Sequence, residues 1–531
     1  MAGEAVRLGL LALIVAGALL FAMSIVGLVV VAKSKEYYCS IEGYGVVFDA
    51  GSSHTSMAVY QWLDETTNGT GVVSQLAYVA DCTDEGIAAY ANDPEDLIPG
   101  LTKCLDIAEL VLPEFSHGDT PVYLGATAGM RLLTQIDGGK GDAVMEAVRG
   151  TLASTPFAFE DATRQAAILT GQIEGTSGWI SANYLAGNLG VEPATGDVVQ
   201  VLSGHKAIPV RPTFGALDLG GASTQITFIP EHPERIPVES RAQLRLYGTD
   251  YVVYTHSFTC YGLGEARRRL DATLVEESGF ATLVDDPCSP LGYNYTLTGA
   301  YLSKAPCSPR PQAPSAALVS DTAVYQLRGT SDPQACHQLA RSLFDLGAAC
   351  PVPPCSIGGV HTPAPHGAFK AFSGYAYTWN GIGDKSTPTI GEYSEQAEAF
   401  CSKTYQELQL SPKKSKYDVR YCFQSMYVRV LLFDAFKFTE DNWNVEFTLK
   451  IKEASLGWAL GYMVDATNRI PEEAACVGLA PATFTGLVLI FTAISLCGIL
   501  LAGFGLVRQA RKAAQTPADR SYEPAPQNVD V

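Results

Sequence analysis

The sequence predicts an α/β protein with two similar lobes, held between two transmembrane helices. A short pattern that occurs twice, and the alternation of strand-like with helix-like segments, predict the lobes. The membrane helices are predicted because a long uncharged segment lies near each end of the chain. A length of 531 residues also exceeds what one hydrophobic core usually organises, so at least two domains are expected.

The duplicated pattern is an apolar run, an Asp, and a turn of small residues that ends in Thr. It occurs at 46–55, with Asp49, and at 215–224, with Asp218. Each copy is followed by a second β-prone run, at 57–60 and 225–228, so each predicts a strand–turn–strand hairpin. Small residues let backbone N–H groups approach an anion, and an Asp can hold a metal ion or its water shell. Two facing hairpins would hold a polyphosphate and its cation from both sides.

The rest of the chain fits α/β architecture. Strand-like runs at 46–48, 122–124 and 216–217 alternate with helix-like patterns at 105–112, 143–152 and 178–185. Segment 285–365 is rich in Cys, Pro and Gly, and we expect it to be loop-rich and to decorate the second lobe. The net charge of −19 argues against binding to nucleic acid, which requires a basic face.

The two uncharged segments, 8–32 and 483–507, each exceed the roughly 20 residues that cross a bilayer as a helix. A buried core helix is the alternative for each. The positive charges after the second span, Arg508, Arg511 and Lys512, favour a cytoplasmic C-terminus. Lys33 and Lys35, after the first span, favour the opposite orientation. Most of the 13 cysteines and two glycosylation sequons, at Asn68 and Asn294, lie between the spans. We therefore expect an extracellular region between two spans, with both termini in the cytoplasm.

Two further segments carry candidate chemistry. Segment 122–131 predicts a strand that leads into a helix, with Thr127 as its N-cap and Arg131 in its first turn, so its free N–H groups could bind a phosphate. An ordinary strand–helix junction has the same pattern. Segment 171–179 places Glu174 among glycines at the start of a helix, where a carboxylate could act as a general base. A surface Glu in a polar loop is the alternative.

Taken together, these segments resemble the motif regions of the ecto-nucleoside triphosphate diphosphohydrolases, the cell-surface apyrases. The resemblance covers the whole chain: two terminal spans, four motifs in order and a fifth at 457–463. It implies the two-lobed fold of actin, Hsp70 and hexokinase, which is ribonuclease H-like. It also implies a plasma-membrane enzyme of purinergic signalling that hydrolyses ATP, ADP, UTP and UDP outside the cell to the monophosphate and phosphate, with Ca²⁺ or Mg²⁺.

The resemblance also implies a role for each motif residue. Glu174 matches the catalytic base, and Ser223 and Gln225 match the residues that hold the attacking water. Asp49 and Asp218 match the carboxylates that bind the cation through its water ligands. The phosphate-binding positions are Ser52, Ser53, His54, Thr127, Ala128, Gly129, Arg131, Gly220, Gly221 and Ala222.

The nucleobase site departs from the family pattern. Relatives usually carry an aromatic residue where this chain has Ala376, and that residue stacks on the base. Tyr375, Tyr377 or Tyr417 is expected to take its place. The alternative is that these tyrosines belong to the core and that the base binds more loosely.

The family pattern also implies five disulfides: Cys82–Cys104, Cys260–Cys307, Cys288–Cys336, Cys350–Cys355 and Cys401–Cys422. Cys39, Cys476 and Cys497 are left over. We hypothesise that Cys39 pairs with Cys476 and ties the two membrane anchors together. Free thiols or lipidation are the alternatives.

The predicted organisation runs from a cytoplasmic N-terminus at 1–7 through a span at 8–32 to a first lobe at 33–170 and a second at 171–450. The chain then returns to the first lobe at 451–476, crosses again at 483–507 and ends in a cytoplasmic tail at 508–531. Small residues on the first span, Gly17, Ala22 and Gly27, could support homo-oligomers. The alternative function is a catalytically weak nucleotide-sensing or adhesion receptor on the same scaffold.

Overall fold

Two β-sheets organise the centre of the protein. The computed structural model describes residues 2–36, 42–63, 66–191, 211–308, 320–412, 414–452, 454–470 and 481–515. The chain divides into two compact units, one made of Met1–Ser40 and Glu473–Val531, the other of Ile41–Glu472. The hypothesised bond between Cys39 and Cys476 lies outside the described residues.

Strands and helices alternate through the larger unit. The strands are β1 (Glu42–Ala50), β2 (Thr55–Leu63), β3 (Ser74–Thr83), β4 (Val122–Ala126), β5 (Ala166–Ile168), β6 (Gly215–Leu219), β7 (Ser223–Phe228), β8 (Arg241–Leu246), β9 (Thr249–Thr259), β10 (Leu283–Asp286), β11 (Asn294–Thr298), β12 (Val324–Gly329), β13 (Phe369–Ser373), β14 (Val445–Phe447), β15 (Lys450–Ile451) and β16 (Ala454–Ser455). The α-helices are α1 (Ala2–Glu36), α2 (Ile98–Val111), α3 (Ala128–Ile136), α4 (Gly138–Ala153), α5 (Ala162–Gln165), α6 (Gly171–Ala186), α7 (Leu263–Glu277), α8 (Gly299–Leu302), α9 (Pro333–Ser342), α10 (Gly374–Ile382), α11 (Ile390–Cys401), α12 (Tyr405–Leu410), α13 (Asp418–Arg429), α14 (Trp458–Thr467) and α15 (Pro481–Gln515).

The two large sheets repeat one arrangement, which confirms the two-lobed prediction. The first has the order β3-β2-β1-β4-β5 and the second the order β14-β13-β6-β7-β9-β8. In each, a central antiparallel hairpin is flanked by a parallel strand, β4 beside β1 and β13 beside β6. Both hairpin turns close with the same bond: Gly51 N–H donates to His54 O at 3.0 Å, and Gly220 N–H to Ser223 O at 2.9 Å.

The apolar runs of the sequence become the buried centres of these sheets. Val46, Val47 and Phe48 on β1 are fully buried, as are Leu217 on β6 and Ile226 on β7. Strands flanked on both sides and covered on both faces bury such runs completely, which explains why the sequence shows continuous rather than alternating apolar residues. The helix-like patterns at 143–152 and 178–185 lie in α4 and α6, and the pattern at 105–112 lies in α2 except for Leu112, its extended C-cap.

Helices α6 and α14 pack against each other at the centre of the larger unit. Helix α6 begins at the N-cap Thr170, whose side chain accepts from Ile173 N, and ends at Gly187 in a left-handed conformation. The close approach depends on Gly461, whose backbone N–H donates to Ser181 Oγ at 2.7 Å. A Cβ at position 461 would lie 2.0 Å from the carbonyl oxygen of Ser177.

Segment 285–365 has more regular structure than its composition indicates. The predicted loops are present, but β11 and β12 pair antiparallel and β10 adds in parallel, which gives a separate three-stranded sheet. This sheet does not join either large one. The structure contains the five disulfides that the family pattern implies, Cys82–Cys104, Cys260–Cys307, Cys288–Cys336, Cys350–Cys355 and Cys401–Cys422.

Helices α1 and α15 form the other unit, and both are long and apolar enough to cross a membrane, over Glu4–Ala32 and Thr483–Ala514. They pack on each other through small residues: a Cβ at Gly17 would lie 2.6 Å from Gly498 O. Ser24 Oγ and Ser495 Oγ, one from each helix, are 2.5 Å apart. Small residues and polar pairs of this kind hold helices together in lipid, so Gly17 serves a contact within the chain.

Replacing Gly461 by Ala is expected to destabilise the larger unit by about 1–3 kcal/mol, because the added methyl group would force α6 and α14 apart. The matched control is Gly150→Ala in α4, where a Cβ meets no atom within 4 Å. The control is expected to gain about 0.5–1 kcal/mol from its higher helix propensity. Thermal unfolding of the full chain in detergent measures both, and equal midpoints for the two variants would contradict the packing argument.

Candidate active site

Three carboxylates gather where the two hairpins face each other. Asp49 lies at the end of β1, Asp218 at the corresponding position of β6, and Glu174 in the first turn of α6. Glu174 and Asp218 are 7 % and 8 % exposed, and Asp49 is half-buried. The site therefore lies between the first and second lobes, with a contribution from the helix that follows β5.

Burial and the charge of Glu174 raise the proton affinity of both aspartates. Burial, followed by the charges of Glu174 and Asp218, raises the pKa of Asp49 to about 7. Burial and the charge of Glu174 raise the pKa of Asp218 to about 7 as well. Like charges held in a partly desolvated site repel, so the ionised state of all three requires a compensating positive charge. Oxygen ligands of this charge suit Ca²⁺ or Mg²⁺, so Asp49 and Asp218 fit the predicted cation.

Each cation-site Asp is anchored by a residue from another element. Hydrogen bonding from the Trp458 side chain on α14 lowers the pKa of Asp49 against the effect of burial. Hydrogen bonding from Ser373, the last residue of β13, does the same for Asp218. Ser373 has φ of 51° and ψ of −127°, a conformation that L-residues other than glycine rarely adopt. Backbone strain of this kind persists only where the surrounding structure imposes it. Neither role was predicted from the sequence.

Glu174 is held by Arg131. Arg131 Nη2 donates to Glu174 Oε2 at 2.8 Å and to Ser223 Oγ at 3.2 Å, while Nη1 donates to Leu169 O at 2.9 Å. Burial raises the pKa of Glu174, and the Arg131 guanidinium opposes that rise. The ion pair is almost entirely shielded from solvent. The Arg131 guanidinium thus contacts Glu174 and Ser223 directly.

Ser223 and Gln225 lie together on one face of β7. Gln225 Nε2 donates to Ser223 Oγ at 2.7 Å and to Ser257 Oγ on β9 at 2.8 Å. Gln225 Oε1 is buried and has no hydrogen-bond partner among the described residues. A buried acceptor without a partner costs free energy, so it is a place where a water or substrate proton would bind.

The hairpin turns and the start of α3 come together at the predicted phosphate site. A Cβ on Gly221 would lie 2.5 Å from Ser52 Oγ, and one on Gly129 would lie 3.1 Å from Ser52 Cα. The two turns and the helix start therefore almost touch at Ser52. Helix α3 begins after Thr127, whose side chain makes no cap bond, so the first N–H groups have no side-chain acceptor there. The predicted phosphate-binding residues outside this contact lie in the same turns and at the start of α3: Ser53, His54, Ala128, Gly220 and Ala222.

Two glycines that the sequence analysis did not single out support the turns from behind. A Cβ on Gly86 would lie 2.5 Å from the carbonyl carbon of Ser52, and one on Gly262 would lie 2.4 Å from Ala222 N. The absence of a side chain at each glycine thus makes room for one of the two hairpin turns. No local pattern distinguishes these glycines from others in the chain.

The nucleobase prediction is wrong for Tyr375. Its ring is fully buried, and its hydroxyl lies 3.0 Å from Thr224 Oγ1, so it belongs to the core of the second lobe. Burial also explains why Ala376, at 0 % exposure, cannot present a surface to a base. Tyr377 and Tyr417 are 61 % and 44 % exposed and stay predictions for base contact.

The remaining predicted positions are on the surface. Asn68 and Asn294 are exposed, as glycosylation requires, and Asn68 Nδ2 also donates to Tyr247 O at 3.2 Å. Among the described cysteines, Cys497 on α15 is free and exposed.

Comparison with known proteins identifies the family. Residues 39–478 match the GDA1/CD39 (nucleoside phosphatase) family. The chain belongs to this family. Mouse ectonucleoside triphosphate diphosphohydrolase 1 is 38 % identical over 469 residues, which cover 86 % of this chain and 88 % of the relative. Mouse ectonucleoside triphosphate diphosphohydrolase 2 is 38 % identical over 479 residues, which cover 88 % of this chain and 91 % of the relative.

The fold also has a solved counterpart. A nucleoside triphosphate hydrolase from Neospora caninum superposes with a TM-score of 0.58 at 15 % identity, covering 84 % of this chain and 95 % of that one. This likeness concerns the fold, and it agrees with the predicted two-lobed α/β architecture. Family membership confirms the resemblance inferred from the motifs, and the chain is an enzyme of the nucleoside triphosphate diphosphohydrolase class.

Replacing Asp218 by Asn is expected to stabilise the fold at pH 8 in EDTA by an amount on the order of 2 kcal/mol. The folded-state pKa of Asp218 lies above the usual 3.8, so its ionisation destabilises the folded state above pH 7. That penalty shrinks as pH falls from 7 towards 4, because the folded protein takes up the proton first. Thermal unfolding at pH 8 and pH 5 tests this, with the exposed Asp142→Asn as control. A lower midpoint for Asp218→Asn at pH 8 would refute the argument.

Proposed function

We propose that the site hydrolyses the terminal phosphate of nucleoside tri- and diphosphates, with Glu174 as the general base. The observation that supports this most is the burial of Glu174 beside Arg131, within one hydrogen-bond network with Ser223 and Gln225. A base that must accept a proton near neutral pH needs a raised pKa, and burial raises that of Glu174. ATP, ADP, UTP and UDP are the proposed substrates.

The proposed step is an in-line displacement at phosphorus. A water oxygen forms a bond to the terminal phosphorus while the bond from phosphorus to the bridging oxygen breaks. Glu174 accepts the proton that this water loses, and the bridging oxygen leaves as part of the shortened nucleotide. The turns around Ser52 and Gly221 and the start of α3 hold the phosphate by backbone N–H groups, because a Cβ at Gly221 or Gly129 would meet Ser52.

The proposed cofactor is Ca²⁺ or Mg²⁺, held through its water ligands by Asp49 and Asp218. When bound, the cation neutralises charge on the phosphate oxygens. Trp458 and Ser373 fix the two carboxylates, so the protein contributes their orientation. Tyr377 and Tyr417, which are exposed, are the proposed contacts of the nucleobase.

We place this site outside the cell, at the plasma membrane. Helices α1 and α15 are long and apolar enough to cross a membrane. The described region between them holds five disulfides, which form in oxidising compartments. Both termini are then cytoplasmic, and the enzyme would remove the nucleotides of purinergic signalling. The domain boundaries predicted from the sequence follow the same order and stay predictions.

A receptor without activity is the competing function on this scaffold. It would need no base aligned with a water site. The ion pair of Arg131 with Glu174 and the unpartnered Gln225 Oε1 favour hydrolysis over binding alone.

Replacing Glu174 by Gln is expected to lower phosphate release from ATP and ADP by about 10²–10⁴-fold, because the amide cannot accept the proton. The assay uses intact expressing cells with Ca²⁺ or Mg²⁺, and EDTA is expected to abolish the wild-type rate. The matched control is the exposed Glu146→Gln on α4, which should keep full activity. Unchanged activity in Glu174→Gln would remove Glu174 as the base, and an inactive wild type at the surface would favour the receptor.

Replacing Arg131 by Met is expected to move the acidic limb of the kcat/KM profile to higher pH. The guanidinium lowers the pKa of Glu174 against the effect of burial, so its loss lets that pKa rise further. The base must be ionised to act, and activity therefore appears at higher pH than in the wild type. The profile is measured between pH 5 and 9 with saturating cation. An acidic limb that stays in place would show that Arg131 does not set the protonation of Glu174.

A further inference from the structure

A row of polar side chains crosses the second sheet and ends on a residue with no assigned role. Asp218 on β6 pairs with Gln225 on β7, and Gln225 pairs in turn with Ser257 on β9. Cross-strand partners lie on the same face of a sheet, so Ser257 is on the face that carries the site. Its hydroxyl accepts from Gln225 Nε2 at 2.8 Å.

The Gln225 amide has its nitrogen towards two serine hydroxyls and its oxygen away from them. Both hydrogens of Nε2 are used, one by Ser223 Oγ at 2.7 Å and the other by Ser257 Oγ. Ser223 Oγ also accepts from Arg131 Nη2, which can only donate, so both lone pairs of that oxygen are occupied. The remaining polar atom of Gln225, Oε1, is buried and without a partner among the described residues.

An acceptor fixed in this way has a consequence for the attacking water. A water molecule has two hydrogens, and its lone pairs must stay free to attack phosphorus. Glu174 accepts one hydrogen in the proposed reaction, and Gln225 Oε1 can accept the other. A Gln225 amide turned over would present N–H groups to the water instead, and these would occupy the lone pair that attacks.

Ser257 is itself held in place by backbone. A Cβ on Gly171, the first residue of α6, would lie 2.2 Å from Ser257 Cβ and 2.6 Å from Ser257 Oγ. The start of the helix that carries Glu174 thus packs directly on Ser257. The contact between Gly171 and Ser257 therefore positions both the proposed base and the Gln225 amide.

We propose that Ser257 is a positioning residue, which holds the Gln225 amide with its oxygen towards the attacking water. This inference rests on the proposed function, because it concerns the water that Glu174 activates. Ser257 does not contact the reacting atoms, and it acts through Gln225.

Replacing Ser257 by Ala removes the acceptor of one amide hydrogen and lets the Gln225 amide rotate. The expected result is a fall in kcat for ATP of about 10–100-fold with KM for the nucleotide unchanged within about twofold, since orientation and not binding is lost. The control is Thr255→Val, the next residue on the same face of β9, whose hydroxyl pairs with Thr227 Oγ1 at 2.8 Å. Thr255→Val removes a buried hydroxyl of the same strand and is expected to keep kcat within about twofold.

A double-mutant cycle separates positioning from a general structural role. In the Gln225→Ala background, Ser257→Ala should cause no further loss of kcat, because Ser257 has nothing left to position. Thermal unfolding of each full-length variant in detergent shows whether it is folded. Additive losses in the cycle, or a wild-type kcat in folded Ser257→Ala, would overturn the proposal. A wild-type enzyme that releases no phosphate would instead refute the proposed function, so the two failures are distinguishable.

Discussion

The repulsion among three carboxylates in one cleft is the constraint on which the rest of the site depends. Burial raises the pKa of Asp49, Asp218 and Glu174, and the charge of Glu174 raises the pKa of the two aspartates further. Such an arrangement opposes folding, so it persists only because the surrounding elements hold it. Arg131 provides the one described cation in direct contact with Glu174, and the other two carboxylates receive neutral donors from Trp458 and Ser373. The site is therefore prepared for an additional positive charge between the two aspartates.

The duplicated architecture explains how distant parts of the chain supply this arrangement. Each lobe places its Asp at the end of a central strand and its turn immediately after it, with the same closing hydrogen bond. The two copies differ in the side chains that they carry. The first turn carries the hydroxyls of Ser52 and Ser53, whereas the second continues into Ser223 and Gln225. In the proposed function both turns hold the phosphate, and the side chains that orient the water come from the second lobe.

The sequence allowed the hairpins, both aspartates and Glu174 to be predicted because their signals are local. A strand, a turn of small residues and a carboxylate are adjacent along the chain. Trp458, Ser257 and Gly262 act through contacts with residues that are distant in sequence or in neighbouring strands, and no local pattern indicates those partners. Tyr375 was misjudged for a related reason, since its position at a strand–helix junction does not reveal which side faces the core. The small sheet of segment 285–365 was hidden by its Cys, Pro and Gly content.

The hydrogen-bond network extends from the first lobe to the second, so the proposed reaction depends on how the two lobes are arranged. Arg131 belongs to α3 of the first lobe, yet its Nη2 bonds both Glu174 and Ser223 Oγ at the start of β7. The same Ser223 oxygen accepts from Gln225, so the orientation of Gln225 depends indirectly on a residue of the opposite lobe. A separation of the lobes would break the bond to Ser223 before any covalent step was affected. In the proposed mechanism, the base and the water site are therefore complete only while Arg131 bonds both Glu174 and Ser223.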